Sequence, residues 1–113
     1  MARPDWTKEF PCAITVCDSN GIIVDMNDAS LDTFRDDGGA ALLGTDVRDC
    51  HPAPARATLE GLLRDHESNV YTIEKNGRKK LICQMPWYDG GTFSGLVEIS
   101  IVLPEAMPHF KRD

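Results

Sequence analysis

The stretch NVYTIEKNGRKKLICQMPWYDGGTFSGLVEISIVLP (Asn69 to Pro104) reads as three β-strands joined by two turns. Asn76-Gly77 suits a type I′ turn, whose two central residues both need positive φ, so NVYTIEKN and RKKLICQMPWY are expected to run antiparallel. A longer turn, Asp89-Gly90-Gly91, leads into TFSGLVEISIVLP. There Val97, Ile99, Ile101 and Leu103 alternate with Glu98 and Ser100, which predicts one buried apolar face and one more polar face. Val97 and Ile99 are therefore read as pointing inward. The middle strand shows no such alternation, and both its faces are largely apolar. Gln84, between Cys83 and Met85, thus has two readings. Facing inward, it requires a hydrogen-bond partner in a ligand or in the protein. Facing outward, it pairs across a dimer.

Upstream, CAITVCDSNGIIVDMN (Cys12 to Asn27) is a hairpin turning at Asp18-Ser19-Asn20-Gly21. DASLDTFRDDGGAALLG (Asp28 to Gly44) is broken by Gly38-Gly39. Paired glycines cost about 2 kcal/mol relative to alanine inside a helix, so two or three short helical turns are expected. From about Pro52 to His66 the period becomes helical, with Ala55, Leu59, Leu62, Leu63 and His66 on one face. Glu60 and Arg64 are ordered for a helical ion pair. Pro52 and Pro54 belong in the first turn, and His51, preceding a proline, marks the entrance. The result is β-β, short helices, one long helix, β-β-β: an α+β domain with helices over one face of an antiparallel sheet.

A chain of 113 residues with net charge −6 is one domain, and the charge argues against a general role on nucleic acid or anionic membrane. Arg78-Lys79-Lys80 is short and reads as a solvated turn. No apolar stretch approaches the roughly 20 residues of a membrane span, and MARPDWTKEFP has no apolar core of a signal peptide, so a cytoplasmic location is expected. The four cysteines form no C-x-x-C pair, which weakens a zinc reading, and in the cytosol they are expected reduced.

These phrases, taken in order, resemble the PAS domain. AITVCDSNGIIVDMNDASLDTF is similar to the family's opening strand, Asp-x-x-Gly turn, second strand ending in Asn (Asn27) and small-residue helix. LLGTDVRDCHPAPARATLEGLL resembles its Gly-to-His-Pro approach to the long helix, and NGRKKLICQMPWYDGGTFSGLVEISI its closing hairpin. The likeness implies a PAS domain over 11–103, with 1–10 as an N-terminal cap segment and 104–113 as a tail. The tail LPEAMPHFKRD is similar to the PAS portion of bacterial proteins that carry a hemerythrin-like domain. The resemblance implies a five-stranded sheet ordered 2-1-5-4-3, a cavity between sheet and helices, and a bacterial, usually dimeric sensory or interaction role. The family normally passes its signal to an attached output domain; only ten residues follow Leu103, so the chain is expected either to act on a partner protein in trans or to be a piece of a longer protein.

Cys50-His51-Pro52 raises a catalytic alternative. A thiolate before a helix N-terminus is favoured, but no acidic third member is identifiable, so the stretch is read as a helix entrance, with Asp49 and His51 offering acceptors to free N–H groups. With no metal cluster, phosphate loop or Ser/His/Asp set, no enzyme is expected. The family's flavin photosensors carry an Asn-Cys-Arg-Phe-Leu-Gln run that this chain lacks. Haem-binding members make His51 and His66 candidate axial ligands. Otherwise a small apolar or amphipathic molecule is expected, lined by Phe34, Leu43, Leu59, Leu63, Gln84, Val97 and Ile99. The alternative is a packed, ligand-free module for dimerisation or docking. Trp87 and Tyr88 wall a cavity or cover an interface. The double-sided apolar strand implies that a second subunit, or the segment around Trp6 and Phe10, covers the outer face of the sheet. Ile82→Glu or Leu96→Glu would then dissociate a dimer if either residue faces outward.

Overall fold

The computed structural model describes residues 3–113, the side chain of Cys50 excepted. The first hairpin is β1 (Ala13–Asp18) and β2 (Ile23–Met26). Asp18 shapes its turn by accepting from the N–H groups of Asn20 and Ile22. Next come α1 (Asp28–Thr33) and the 3-10 turns Arg35–Asp37, Gly39–Leu42 and Val47–Cys50. The glycine pair thus divides the segment into short turns. The long helix α2 (Ala53–Asp65) precedes β3 (Asn69–Lys75), β4 (Arg78–Asp89) and β5 (Thr92–Val102). The antiparallel sheet runs β2-β1-β5-β4-β3. At Asn76-Gly77 both φ values are positive, 54° and 75°, as the I′ geometry requires.

Residues directly opposite each other in a sheet share a face. Thr15, Glu98, Gln84 and Asn69 stand opposite one another across β1, β5, β4 and β3. They share the face that the helices cover, with Cys17 and Leu96 in the next row. Leu59 and Leu62 of α2 pack on Cys17 and Leu96 to form the core, with Val47 and Leu63 at its edge. Each leucine fully withdrawn from water there contributes about 1.5–3 kcal/mol.

The other face carries Val16, Val97 and Met85 in one row, and Ile14, Ile99, Cys83 and Val70 in the next. The inward reading of Val97 and Ile99 is therefore corrected: they point away from the helices. Ile82 and Leu96, at 7% and 4% exposure, face the helices instead.

Two further expectations change at α2. Its N-terminus has no side-chain cap: Pro52 occupies that position with Pro54 just inside, and Asp49 and His51 cap nothing there. Asp46 instead caps the preceding turn, accepting from the Arg48 N–H at 2.9 Å. Arg64 pairs with Asp65 rather than Glu60, because the adjacent carboxylate takes both its Nε and Nη2.

A polar-floored cleft between sheet and helices

The helices do not lie flush on the sheet. A cavity of about 310 Å³ opens beneath α1 and the 3-10 turns, walled by Ile23, Met26, Phe34, Leu42 and Val47. Its polar lining is Thr15, Asp37, His51 and Glu98. A second space of about 280 Å³ lies toward β3, lined by His51, Ala55, Thr58, Asn69, Tyr71 and Gln84. A narrow gap of about 20 Å³ touches residues of both, with Cys17, Leu59 and Leu96 at its side. His51 lines both larger spaces.

The floor is a hydrogen-bonded row. Gln84 Nε2 donates to Glu98 Oε1 at 2.8 Å, and Asn69 Nδ2 donates to Gln84 Oε1 at 3.3 Å. Gln84 is 4% exposed, so its amide needs these partners. At the other end the Thr15 and Ser30 hydroxyls share a 2.6 Å hydrogen bond, with Ser30 fully buried in α1. Partial burial and then the charge of Glu98 raise the Tyr71 phenol above its ordinary value. Burial likewise pushes the Cys17 thiol up, as befits a core residue rather than a reactive thiol.

The wall at His51 is anchored to the first hairpin. The Val47 N–H donates to the Gly21 carbonyl at 2.8 Å, and Arg48 Nη2 to the Asn20 carbonyl at 3.0 Å. Arg48 also grips Asp46 through Nε and Nη2. Those side-chain bonds, aided by the Arg48 N–H and its charge, hold the Asp46 carboxyl down to about 2. His51 Nδ1 lies 2.8 Å from the Val47 carbonyl oxygen. A carbonyl only accepts, so Nδ1 carries a proton, and the neutral ring keeps its lone pair on Nε2.

Of the residues expected to line a site, Phe34, Gln84 and His51 border these spaces, and Leu59 borders the narrow gap. Leu43 is 43% exposed, and Leu42 lines the cavity in its stead. Leu63 packs against the core edge. Val97 and Ile99 lie across the sheet. His66 caps α2 in the left-handed region (φ 56°) and stacks on Phe93, ring centroids 3.7 Å apart. The Cys50 side chain, weighed as a nucleophile, lies outside the described residues. Trp87 donates to the Cys17 carbonyl at 3.0 Å, and Tyr88 is 54% exposed. Thr15, Asp37, Asn69, Tyr71 and Glu98 carry no local sequence signal of a site; strand register brings three of them together as Thr15-Glu98-(Gln84)-Asn69. Among the described residues, no group of three His, Cys, Asp or Glu could hold a metal ion. No helix among them is long and apolar enough to cross a membrane.

A five-stranded antiparallel sheet in this order, closed on one face by short helices and one long helix around a cleft, defines an α+β domain of one recognisable type. The chain has the PAS fold. It is similar to the PAS domain of BvgS from Bordetella pertussis, at 27% identity over 88% of this chain and 82% of that one, with a TM-score of 0.67. It shares its fold with the Aer2 receptor of Vibrio cholerae, described as a dual PAS-heme oxygen sensor (19% identity, 82% and 95% covered, TM-score 0.63). The PAS domain of the histidine kinase ThkA also matches (17%, 80% and 97%, 0.65). No protein-family model matches the sequence, and no curated protein does.

Haem, for which His51 and His66 are the candidate ligands, does not fit this cleft. The His51 Nδ1–H bonded to a carbonyl would suit a ligating imidazole. However, the sheet beneath presents Thr15, Glu98, Gln84 and Asn69, and a porphyrin laid on them would strip water from the half-buried Glu98 carboxylate without replacing it. His66 is turned onto Phe93 and borders neither large space.

Proposed function

We propose that this chain is a non-enzymatic sensory PAS domain in cytoplasmic signal transduction. It takes up a small molecule in the cleft and works as a homodimer through the outer face of its sheet. The signal then passes to an output domain or partner protein. The observation that carries this reading is the 310 Å³ cavity, a size suited to a small ligand, with apolar walls and a few convergent polar groups.

Strand β5 supplies the route for a signal. Glu98 lies on the cleft side, while its neighbours Val97 and Ile99 lie on the outer side. A ligand that shifts β5 therefore moves both faces together, because successive residues of a strand project oppositely. A second copy is the occupant chosen for the outer face. The rows Val16-Val97-Met85 and Ile14-Ile99-Cys83-Val70 are apolar, with the carboxylate of Asp25, opposite Val16, at the β2 edge of the face, and a two-fold interface can set that apolar patch against itself.

A ligand-free docking module is the second reading, favoured by that same half-exposed apolar face. Leu42→Trp separates the two. An added indole fills an open cavity at little cost but strains a packed core by about 1–3 kcal/mol. Native mass spectrometry of the full chain should show a bound small molecule that the Leu42→Trp variant lacks, with the variant's melting temperature close to wild type. An apo wild-type spectrum together with a strongly destabilised variant would transfer the assignment to the docking module.

A further inference from the structure

We propose that the cleft selects a small cationic amphiphile, a primary ammonium or amidinium head on a compact apolar body. The inference rests on the ligand-binding role proposed above and names the class of ligand.

Glu98 is half-buried at the cavity floor, and one of its oxygens, Oε1, accepts from Gln84. Among the described residues it has no ion-pair partner: the ion pairs are Lys8–Asp28, Arg35–Asp32, Arg48–Asp46, Arg64–Asp65 and Lys111–Asp113. Nor does any described side chain or backbone N–H donate to its second oxygen, Oε2. A carboxylate partly withdrawn from water normally gains a cation or several donors, and this one has a single amide. The buried amide of Gln84, tied also to Asn69, holds the carboxylate in place.

The rest of the cavity agrees in sign. A second carboxylate, Asp37, lines the same cavity, and no Lys or Arg does. His51 Nδ1 is committed to Val47, which leaves Nε2 as the ring nitrogen facing the cavity lining, an acceptor whenever the ring is neutral. The lining is thus rich in acceptors and carries negative charge, a set that repels an anion and leaves a neutral acceptor unanswered. Ile23, Met26, Phe34 and Leu42 provide apolar surface for a body, and the Phe34 ring adds a face that attracts cations. Charge at the head and apolar area behind it are both matched only by a cationic amphiphile.

Three probes of one shape test this: 2-phenylethylammonium, 2-phenylethanol and phenylacetate. Each is titrated into the full chain at neutral pH and low salt by calorimetry, with amide NMR shifts reporting the location. The ammonium should bind about tenfold more tightly than the alcohol, the worth of roughly one charge-assisted contact, and the acid should be weakest. Glu98→Gln keeps the acceptor for Gln84 and should lower ammonium affinity about tenfold, to near that of the alcohol, while the alcohol, which also loses a carboxylate acceptor but no charge partner, weakens by much less. Should that variant fail to fold, Asp37→Asn on its exposed turn should weaken the ammonium several-fold. Phenylacetate binding as tightly as the ammonium, or an ammonium preference that survives Glu98→Gln, would overturn the inference. If the alcohol and the acid bind in the cleft with no advantage for the ammonium, the ligand-binding role stands and the charge selection fails. If none of the three moves the amides around Thr15, Phe34 and Glu98, both fail.

Discussion

Replacing Asn27 with alanine should remove about 3 kcal/mol of stability, far more than its place at the end of a four-residue strand suggests. The side chain is 4% exposed and joins three parts of the molecule. Its Oδ1 accepts from the Ile14 N–H in β1 and the Ser30 N–H in α1, both at 2.9 Å. Its Nδ2 donates to the Thr7 and Cys12 carbonyls at 2.9 and 2.8 Å, tying down the segment ahead of the sheet. Loss of the N-cap to α1 costs about 1 kcal/mol. The buried Ile14 N–H, left without an acceptor, costs about 1–3 kcal/mol more. The Thr7 and Cys12 carbonyls can turn to water and contribute less. For a domain whose whole stability is about 5–15 kcal/mol, the variant should melt roughly 12–20 °C lower. Urea unfolding at neutral pH measures the loss, and hydrogen exchange at the Ile14 amide locates it. Asn27→Asp keeps both accepted bonds but turns a carboxylate oxygen toward the Thr7 and Cys12 carbonyls, so at neutral pH it should destabilise as well while the Ile14 amide keeps its acceptor. A loss below about 1 kcal/mol for Asn27→Ala, or unchanged exchange at Ile14, would show that the three-way junction is held by something else.

Gly95→Ala should prevent folding or nearly so. Its φ is 139°, and a Cβ there would overlap the Cys17 carbonyl oxygen and stand 2.7 Å from the Asp18 carbonyl carbon, so circular dichroism should show an unfolded chain. Asp46→Asn should erase a pH dependence. The Asp46 carboxyl is held at about 2, below its ordinary 3.8, so its stabilisation is present above about pH 4 and is lost as pH falls through 2. The wild-type advantage in urea midpoint should therefore be full at pH 5 and shrink toward pH 2. Val97→Glu, on the outer face, should dissociate the proposed dimer while leaving the fold intact, as read by light scattering beside circular dichroism. Ile82→Glu and Leu96→Glu bury a charge against the helices and should unfold the domain instead; an undisturbed Val97→Glu dimer would remove the outer face from consideration.

Most of the architecture was legible in the amino-acid order because its signals are local. Asn76-Gly77 needs positive φ, Asp18 through Gly21 folds on one side chain, and Pro52 with Pro54 can stand only at a helix start. The helical period at Leu59 and Leu62 identified two buried core residues. His66 broke from that period because it terminates the helix in a left-handed conformation, and stacking on Phe93, about thirty residues onward, leaves no local trace.

The faces of β5 were not legible, and one residue explains why. At the hairpin end Asp89 pairs with Thr92 and Tyr88 with Phe93. Counting onward from there would set Gln84 opposite Val97, and Val97 would share the cleft side with it. An irregularity at Trp87/Tyr88 advances the register by one, so that Gln84 meets Glu98. A one-residue slip moves a strand's whole set of side chains to the other face. The alternation Val97-Glu98-Ile99 was read on the rule that apolar residues face the covered side. Here that side is a polar-floored cleft, and the apolar set faces outward. A packed core would have rejected this arrangement, since Glu98 and Gln84 would lose water for too few partners. The cleft tolerates it because it leaves room for water or a ligand at the carboxylate. The same inversion that misled the alternation rule is what argues that the space above Glu98 is a binding site rather than an imperfectly filled core.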